Sequence, residues 1–158
     1  MHKSVNNLNL IKENLKSKLS NYEKVKIIAV SKTFSQSAIA PLIDYGHLDF
    51  GENKVQEAVD KWTDIKLNNP KIKLHLIGKL QTNKVKFAVK LFDYIHSVDN
   101  EKLARKISDE ENKLNKRVKI FIQENIGNDE QKSGIHKDTL ETVSYKQLTV
   151  QTTAHVAD

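Results

Sequence analysis

A chain of 158 residues, 29% charged and 38% hydrophobic, has the size and composition of one soluble globular domain; no apolar stretch approaches the ~20 residues that span a bilayer. The absence of cysteine excludes a disulfide framework and a thiolate site, and it makes a reducing, cytoplasmic setting the expected one. The net charge of +6 does not amount to a nucleic-acid footprint, because only Arg105 and Arg117 are arginine and the lysines alternate with acidic residues. No specific nucleic acid and no membrane are expected as partners.

Residues 4–20 carry Val5, Leu8, Ile11, Leu15 and Leu19 at the spacing of an amphipathic helix, behind a polar N-terminus that is not a signal-peptide core. The run from Lys26 to Ser31 is rich in β-branched residues and predicts a buried strand ending at Lys32. A helix over about 35–45 follows, with Ser35 as N-cap, Gly46 as its stop, and Pro41 expected to kink it or delay its start. His47 to Phe50 predicts a second strand. Gly51-Glu52-Asn53 then opens a helix from 53, where Asn53 and Gln56 resemble a capping box.

Strand 73–77 closes at Gly78; a helix over about 82–91, strand 94–97, a helix over about 100–115 led by Asp99, and strand 118–123 complete the regular pattern. A polar loop, 125–134, leads to Ile135 and a helix from Asp138. The last twenty residues contain five threonines and neither isoleucine nor asparagine, so 139–158 reads as a divergent tail to a domain spanning 1–138.

Alternating β and α segments without hairpin signals demand a parallel sheet with right-handed crossovers. Either an open doubly wound sheet or a (β/α)8 barrel satisfies them. Length by itself favours the open sheet, since a barrel takes roughly 250 residues.

Parallel α/β proteins bind ligands at the C-terminal ends of their strands. There the sequence puts Ser31, Lys32 and Thr33; Gly51, Glu52 and Asn53; Ile77, Gly78 and Gln81; Ser97 and Asp99; and Asn125. Lys32 stands out, because an amine held partly desolvated at the mouth of a sheet loses pKa and attacks aldehydes. A solvated strand-end charge is the plainer alternative. Asn53 reads equally as a helix N-cap, His75 as a core histidine bonded to backbone, and Ser97 and Asp99 as caps of the helix near residue 100. Glu52 and Glu57 are expected in first helical turns, favoured there by the dipole. Neither a metal set nor a phosphate loop is present, and no catalytic serine–histidine–acid order is seen.

Several motifs then agree. Ala29-Val30-Ser31-Lys32-Thr33, Phe50-Gly51-Glu52-Asn53-Lys54-Val55-Gln56-Glu57-Ala58, and His75-Leu76-Ile77-Gly78 with Leu80-Gln81 and Asn83-Lys84 resemble the pyridoxal phosphate homeostasis proteins (the YggS/PROSC family). Ile95-His96-Ser97-Val98-Asp99 and Gln131-Lys132-Ser133-Gly134-Ile135 continue the match in order, so the resemblance covers about 5–140. It departs at Lys79, where the family often has proline, and at Glu124, where an apolar residue is usual.

The resemblance implies an α/β fold of the parallel (β/α) TIM-barrel type, related to the alanine racemase N-terminal domain and here incomplete, with about five or six of eight βα units. It implies pyridoxal 5′-phosphate (PLP) as cofactor, held as a Schiff base on Lys32. Asn53 and His75 align near the cofactor, and the strand ends add Ser97 and Asn125. Members of the family are regarded as cofactor carriers or regulators rather than enzymes; a racemase-like enzyme and a non-binding partial fold are the alternatives. Because members run some seventy residues further, the chain is expected to be C-terminally truncated, to lack the phosphate-holding segment, to bind PLP weakly, and to be a monomer or weak homodimer. An unclosed barrel would leave strand 1 as an exposed edge.

Overall fold

A computed structural model describes residues 2–126 and 133–135; the expected helix from Asp138 and the 139–158 tail lie outside the described residues. Helix α1 (Lys3–Lys18) precedes five βα-type strands: β1 (Ala29–Val30), β2 (Asp49–Glu52), β3 (Lys73–Leu76), β4 (Tyr94–Val98) and β5 (Lys119–Ile122). Between them run α2 (Gln36–Asp44), α3 (Val55–Asn68), α4 (Val85–Leu91) and α5 (Glu101–Leu114), with a 3-10 turn, Thr82–Lys84, leading into α4.

All four pairings are parallel and the spatial order is β1-β2-β3-β4-β5. A doubly wound sheet reverses direction at a switch point, and this one does not. Every crossover advances the same way and places its helix on the same side, which is the winding of a barrel. The choice that length suggested is therefore overturned by connectivity.

The two sheet faces differ in kind. Phe50 meets Trp62 of α3 with ring centroids 4.9 Å apart, and Leu74, Leu76, Ile95 and Ile120 join the same buried cluster. Each fully buried side chain of this size contributes about 1.5–3 kcal/mol. Period-two alternation turns Asp49, Gly51, His75, Tyr94, His96 and Phe121 to the opposite, inner face.

Several local readings are corrected. β1 is only two residues long and among the described residues pairs with β2 alone, although Ser31 N–H extends the ladder to the Gly51 carbonyl at 2.9 Å. Ser35 does cap α2, accepting from Ala38 N–H, and Pro41 sits inside the helix without delaying its start. Gly46 (φ +88°) ends it as expected, donating to the Ile43 carbonyl while His47 N–H reaches Leu42. In α1 only Val5 and Leu8 are buried and Ile11 is 48% exposed; at mid-helix the Tyr45 hydroxyl donates to Asn9 Oδ1 and Lys12 lies over the Tyr45 ring.

The predicted capping box does not form. α3 begins at Val55 behind Lys54, which makes no side-chain cap, so Asn53 stays with the sheet. Asn100, not Asp99, caps α5, accepting from Leu103 N–H at 2.8 Å.

Candidate functional site

The register Val30–Gly51–His75–Tyr94 defines one layer of the inner face. Just past the C-terminal ends of β1, β2 and β3 stand Lys32, Asn53 and Ile77, and His96 lies within β4 two residues beyond Tyr94. Lys32 and Asn53, both expected at the site, thus follow the C-terminal ends of two neighbouring strands. His75 lies one layer beneath them.

Lys32 is solvent-exposed, and among the described residues its amine has no hydrogen-bond or ion-pair partner. The expected desolvation is therefore not found; the amine is exposed instead. Its backbone is held tightly. Lys32 and Thr33 are the central residues of a turn closed by Phe34 N–H on the Ser31 carbonyl (3.1 Å), and Thr33 has φ +67°, an outlier for a β-branched residue.

Beneath this turn lies a buried ionic cluster. Glu52 is fully buried, and its Oε1 accepts from Ser31 Oγ (2.8 Å), Lys61 Nζ (2.9 Å) and Trp62 Nε1 (2.9 Å). Lys61 Nζ also donates to the Ser31 carbonyl at 2.8 Å. Glu52 is the last residue of β2 and faces α3, so the expectation that it sits in a first helical turn is wrong; Glu57 does occupy that turn, paired with Lys54.

At the end of β2, Asn53 Oδ1 is buried without a hydrogen-bond partner, an acceptor aligned for nothing the described residues supply. The neighbouring strand end passes very close: a Cβ at Gly78 would lie 2.1 Å from the Asn53 carbonyl oxygen. Ser97 is committed to this junction, its hydroxyl donating to the Gly78 carbonyl at 2.7 Å, and it does not cap α5.

His75 is 2% exposed and is bonded to side chains rather than backbone: Nε2 to Asp49 Oδ1 at 3.0 Å and Nδ1 to His96 Nε2 at 2.9 Å. A carboxylate at Nε2 fixes that nitrogen as the donor, which leaves Nδ1 to accept from His96. Tyr94 stacks on the imidazole, centroids 4.2 Å apart and 5° from parallel. Burial holds the His75 pKa below the ordinary histidine value, against the opposing pull of Asp49. Sequence reading missed Asp49 and gave His96 no role of its own. Counting inward positions by twos along β2, β3 and β4 would have found both. No group of three or more acidic or histidine side chains among the described residues is placed to hold a metal ion.

Asn125 follows β5 and is buried, its backbone N–H donating to the Ile135 carbonyl at 3.1 Å. Gly134 (φ +146°) lies against it, so close that a Cβ would sit 2.6 Å from the Asn125 nitrogen. Glu124 forms a parallel bridge with Ile135, and Lys79 pairs with Asp99 (3.8 Å) and donates to Ser133 (3.4 Å). The two unusual residues thus tie the 133–135 segment to the same end of the sheet.

The family described as alanine racemase, N-terminal domain, matches residues 6–152. The pyridoxal phosphate homeostasis protein of Haemophilus influenzae is 34% identical over 142 residues, covering 87% of this chain and 60% of that protein. The Escherichia coli K12 protein of the same name is 37% identical over 123 residues, covering 77% and 53%. The chain therefore spans between half and two thirds of these relatives' length. Among solved structures, PipY of Synechococcus elongatus PCC7942 with PLP bound is 32% identical with a TM-score of 0.73, covering 92% of this chain and 69% of that one. Alanine racemase of Clostridium difficile 630, at 14% identity and TM-score 0.68, shares the fold. The chain belongs to the alanine racemase N-terminal domain family, in the group of the pyridoxal phosphate homeostasis proteins.

Proposed function

We propose that this chain binds pyridoxal 5′-phosphate at the mouth of its sheet, takes part in PLP homeostasis as a carrier or regulator, and holds the cofactor through Lys32. The observation that carries the reading is an exposed Lys32 amine just past β1 and a buried Asn53 Oδ1 just past the adjacent β2, each without a hydrogen-bond partner among the described residues. That pair fits a ligand bearing both an electrophilic aldehyde and a hydrogen-bond donor. The PLP-bound state of a 32% identical structure supports the choice of ligand.

PLP would supply an aldehyde, and the Lys32 amine would hold it covalently with loss of water. Asn53 would offer its unpartnered acceptor to the bound cofactor. His75, with both nitrogens engaged, forms the floor rather than a direct contact, and Ser97 and Asn125 hold the flanking strand ends. A barrel's phosphate site is built by the loops after strands 7 and 8, and the described residues form five strands. For the 158-residue chain assayed by itself we expect weak binding, each charge-assisted hydrogen bond to a phosphate being worth about 1.5–3 kcal/mol.

The test is borohydride reduction of the chain with PLP, followed by peptide mapping. Label on Lys32, lost in Lys32→Ala, is the expected result. Equal labelling of the variant at other lysines would remove Lys32 from the proposal.

A further inference from the structure

We propose that the buried Glu52–Lys61 pair is a positioning device for Lys32, fixing the peptide that carries the reactive amine. The inference rests on the reading of Lys32 as the PLP-binding lysine.

β1 is the least supported strand of the sheet. It is two residues long and, among the described residues, pairs on one side only, with β2. A ladder of that size does not by itself hold the residue two positions beyond it. Every polar group of Ser31, the residue immediately before Lys32, is nevertheless engaged. Its N–H donates to the Gly51 carbonyl at 2.9 Å and its hydroxyl to Glu52 Oε1 at 2.8 Å, with the Gly51 carbonyl also within 3.2 Å. Its carbonyl accepts from Lys61 Nζ at 2.8 Å and from Phe34 N–H at 3.1 Å. Two of these contacts come from the ion pair, which reaches β1 from β2 and α3.

Stability does not account for the pair. A buried ion pair is often no more stabilising than apolar residues of the same volume packed in its place. Glu52 moreover keeps Oε2 buried without a partner, a further cost at this position. What apolar residues could not do is grip Ser31 by both hydroxyl and carbonyl. With the Ser31–Lys32 peptide unable to rotate, the turn keeps Thr33 at φ +67° and the Lys32 stem leaves the sheet from a fixed point. An amine launched from a fixed backbone loses less freedom on forming its covalent bond, so the bond forms at lower PLP concentration.

The double variant Glu52→Gln/Lys61→Met removes both charges together and avoids stranding either one. Hydrogen exchange in the unliganded chain reads the grip directly. We expect amides 31–34 to exchange at least about tenfold faster while amides in 85–98 are unchanged. The PLP concentration giving half-maximal borohydride labelling of Lys32 should rise about tenfold. Unchanged exchange at 31–34 overturns the grip. Faster exchange with unchanged labelling overturns its service to Lys32. If the parent chain takes no label on Lys32, the PLP reading itself fails, and the positioning role falls with it while the exchange result still stands. Ser31→Ala, which removes one contact and no charge, should show the same two changes at smaller size and serves if the double variant does not fold.

Discussion

Gly78 and Asn53 meet backbone to backbone at the mouth of the sheet: a Cβ on Gly78 would lie 2.1 Å from the Asn53 carbonyl oxygen and 2.7 Å from its Cα. No rotamer change relieves such a clash, because the atoms in the way are main chain. Gly78→Ala must push β3's end from β2's and strain the Ser97–Gly78 hydrogen bond. We expect a loss of about 2–3 kcal/mol, read as a lower urea midpoint. Gly51→Ala is the matched control. Its Cβ would meet Ile28 Cγ2 at 3.0 Å and Ile77 Cδ1 at 3.3 Å, side-chain ends that can shift, so its cost should be about 1 kcal/mol or less. Equal midpoints for the two variants would contradict the backbone contact.

Thr33 is strained beside Lys32. A β-branched residue at φ +67° costs about 1–3 kcal/mol, and glycine adopts this conformation freely. Thr33→Gly gives back part of that gain through the greater entropy of its unfolded chain, about 0.5–1 kcal/mol. The variant should be more stable by about 1 kcal/mol in urea unfolding. A lower midpoint would mean that the threonine side chain contributes more than its backbone costs.

Mild acid should weaken the fold through two histidines. His47 and His75 both have lowered pKa values, burial being the largest cause in each, with Asp49 opposing it. Below the unfolded value of about 6.5 the unfolded chain binds protons that the folded chain refuses. The contribution is therefore fully present above that pH and is lost as pH falls towards the folded pKa values. The slope is at most about 1.4 kcal/mol per pH unit for each group. Asp93, whose pKa is lowered by Lys66, the Leu74 N–H and Lys73 against the contrary effect of burial, acts in a separate and more acidic window. Urea unfolding at about pH 7.5 and 5.5 should show lower stability at the acid end, with the difference reduced in His47→Gln. A flat profile would mean the two rings are protonated equally in both states.

Strands, helices and their order were legible because βα alternation is written in hydrophobic period and in turn residues such as Ser35 and Gly46. The closure was not legible from length, since the winding direction depends on which strand pairs with which. Asn53 was misread as a cap because the β2–α3 turn is one residue longer than its amide spacing suggested; Lys54 stands at the N-cap and leaves Asn53 to the mouth. Lys32 could be singled out as a strand-end amine, but its freedom from partners could not. The Asp49–His75–His96 chain joins β2, β3 and β4, and the Glu52 cluster joins β1, β2 and α3. Such contacts follow from register, which only inward counting from paired strands recovers.

Asn53 separates a ligand-binding role from a structural one, because the two predict opposite signs. A buried polar atom left without a hydrogen bond costs about 1–3 kcal/mol, and Asn53 Oδ1 is such an atom. Asn53→Ala removes it, at the price of a small void beside Gly78. In the unliganded chain the variant should match the parent or exceed it by about 1 kcal/mol in urea unfolding. With PLP present, the same variant should need several-fold more cofactor to label Lys32, because the acceptor that met the ligand is gone. Stability unchanged or raised, together with weaker labelling, assigns Asn53 to the ligand. A fall in both quantities would assign it to the β2–β3 junction instead, and the unpartnered oxygen would then have to be satisfied by solvent.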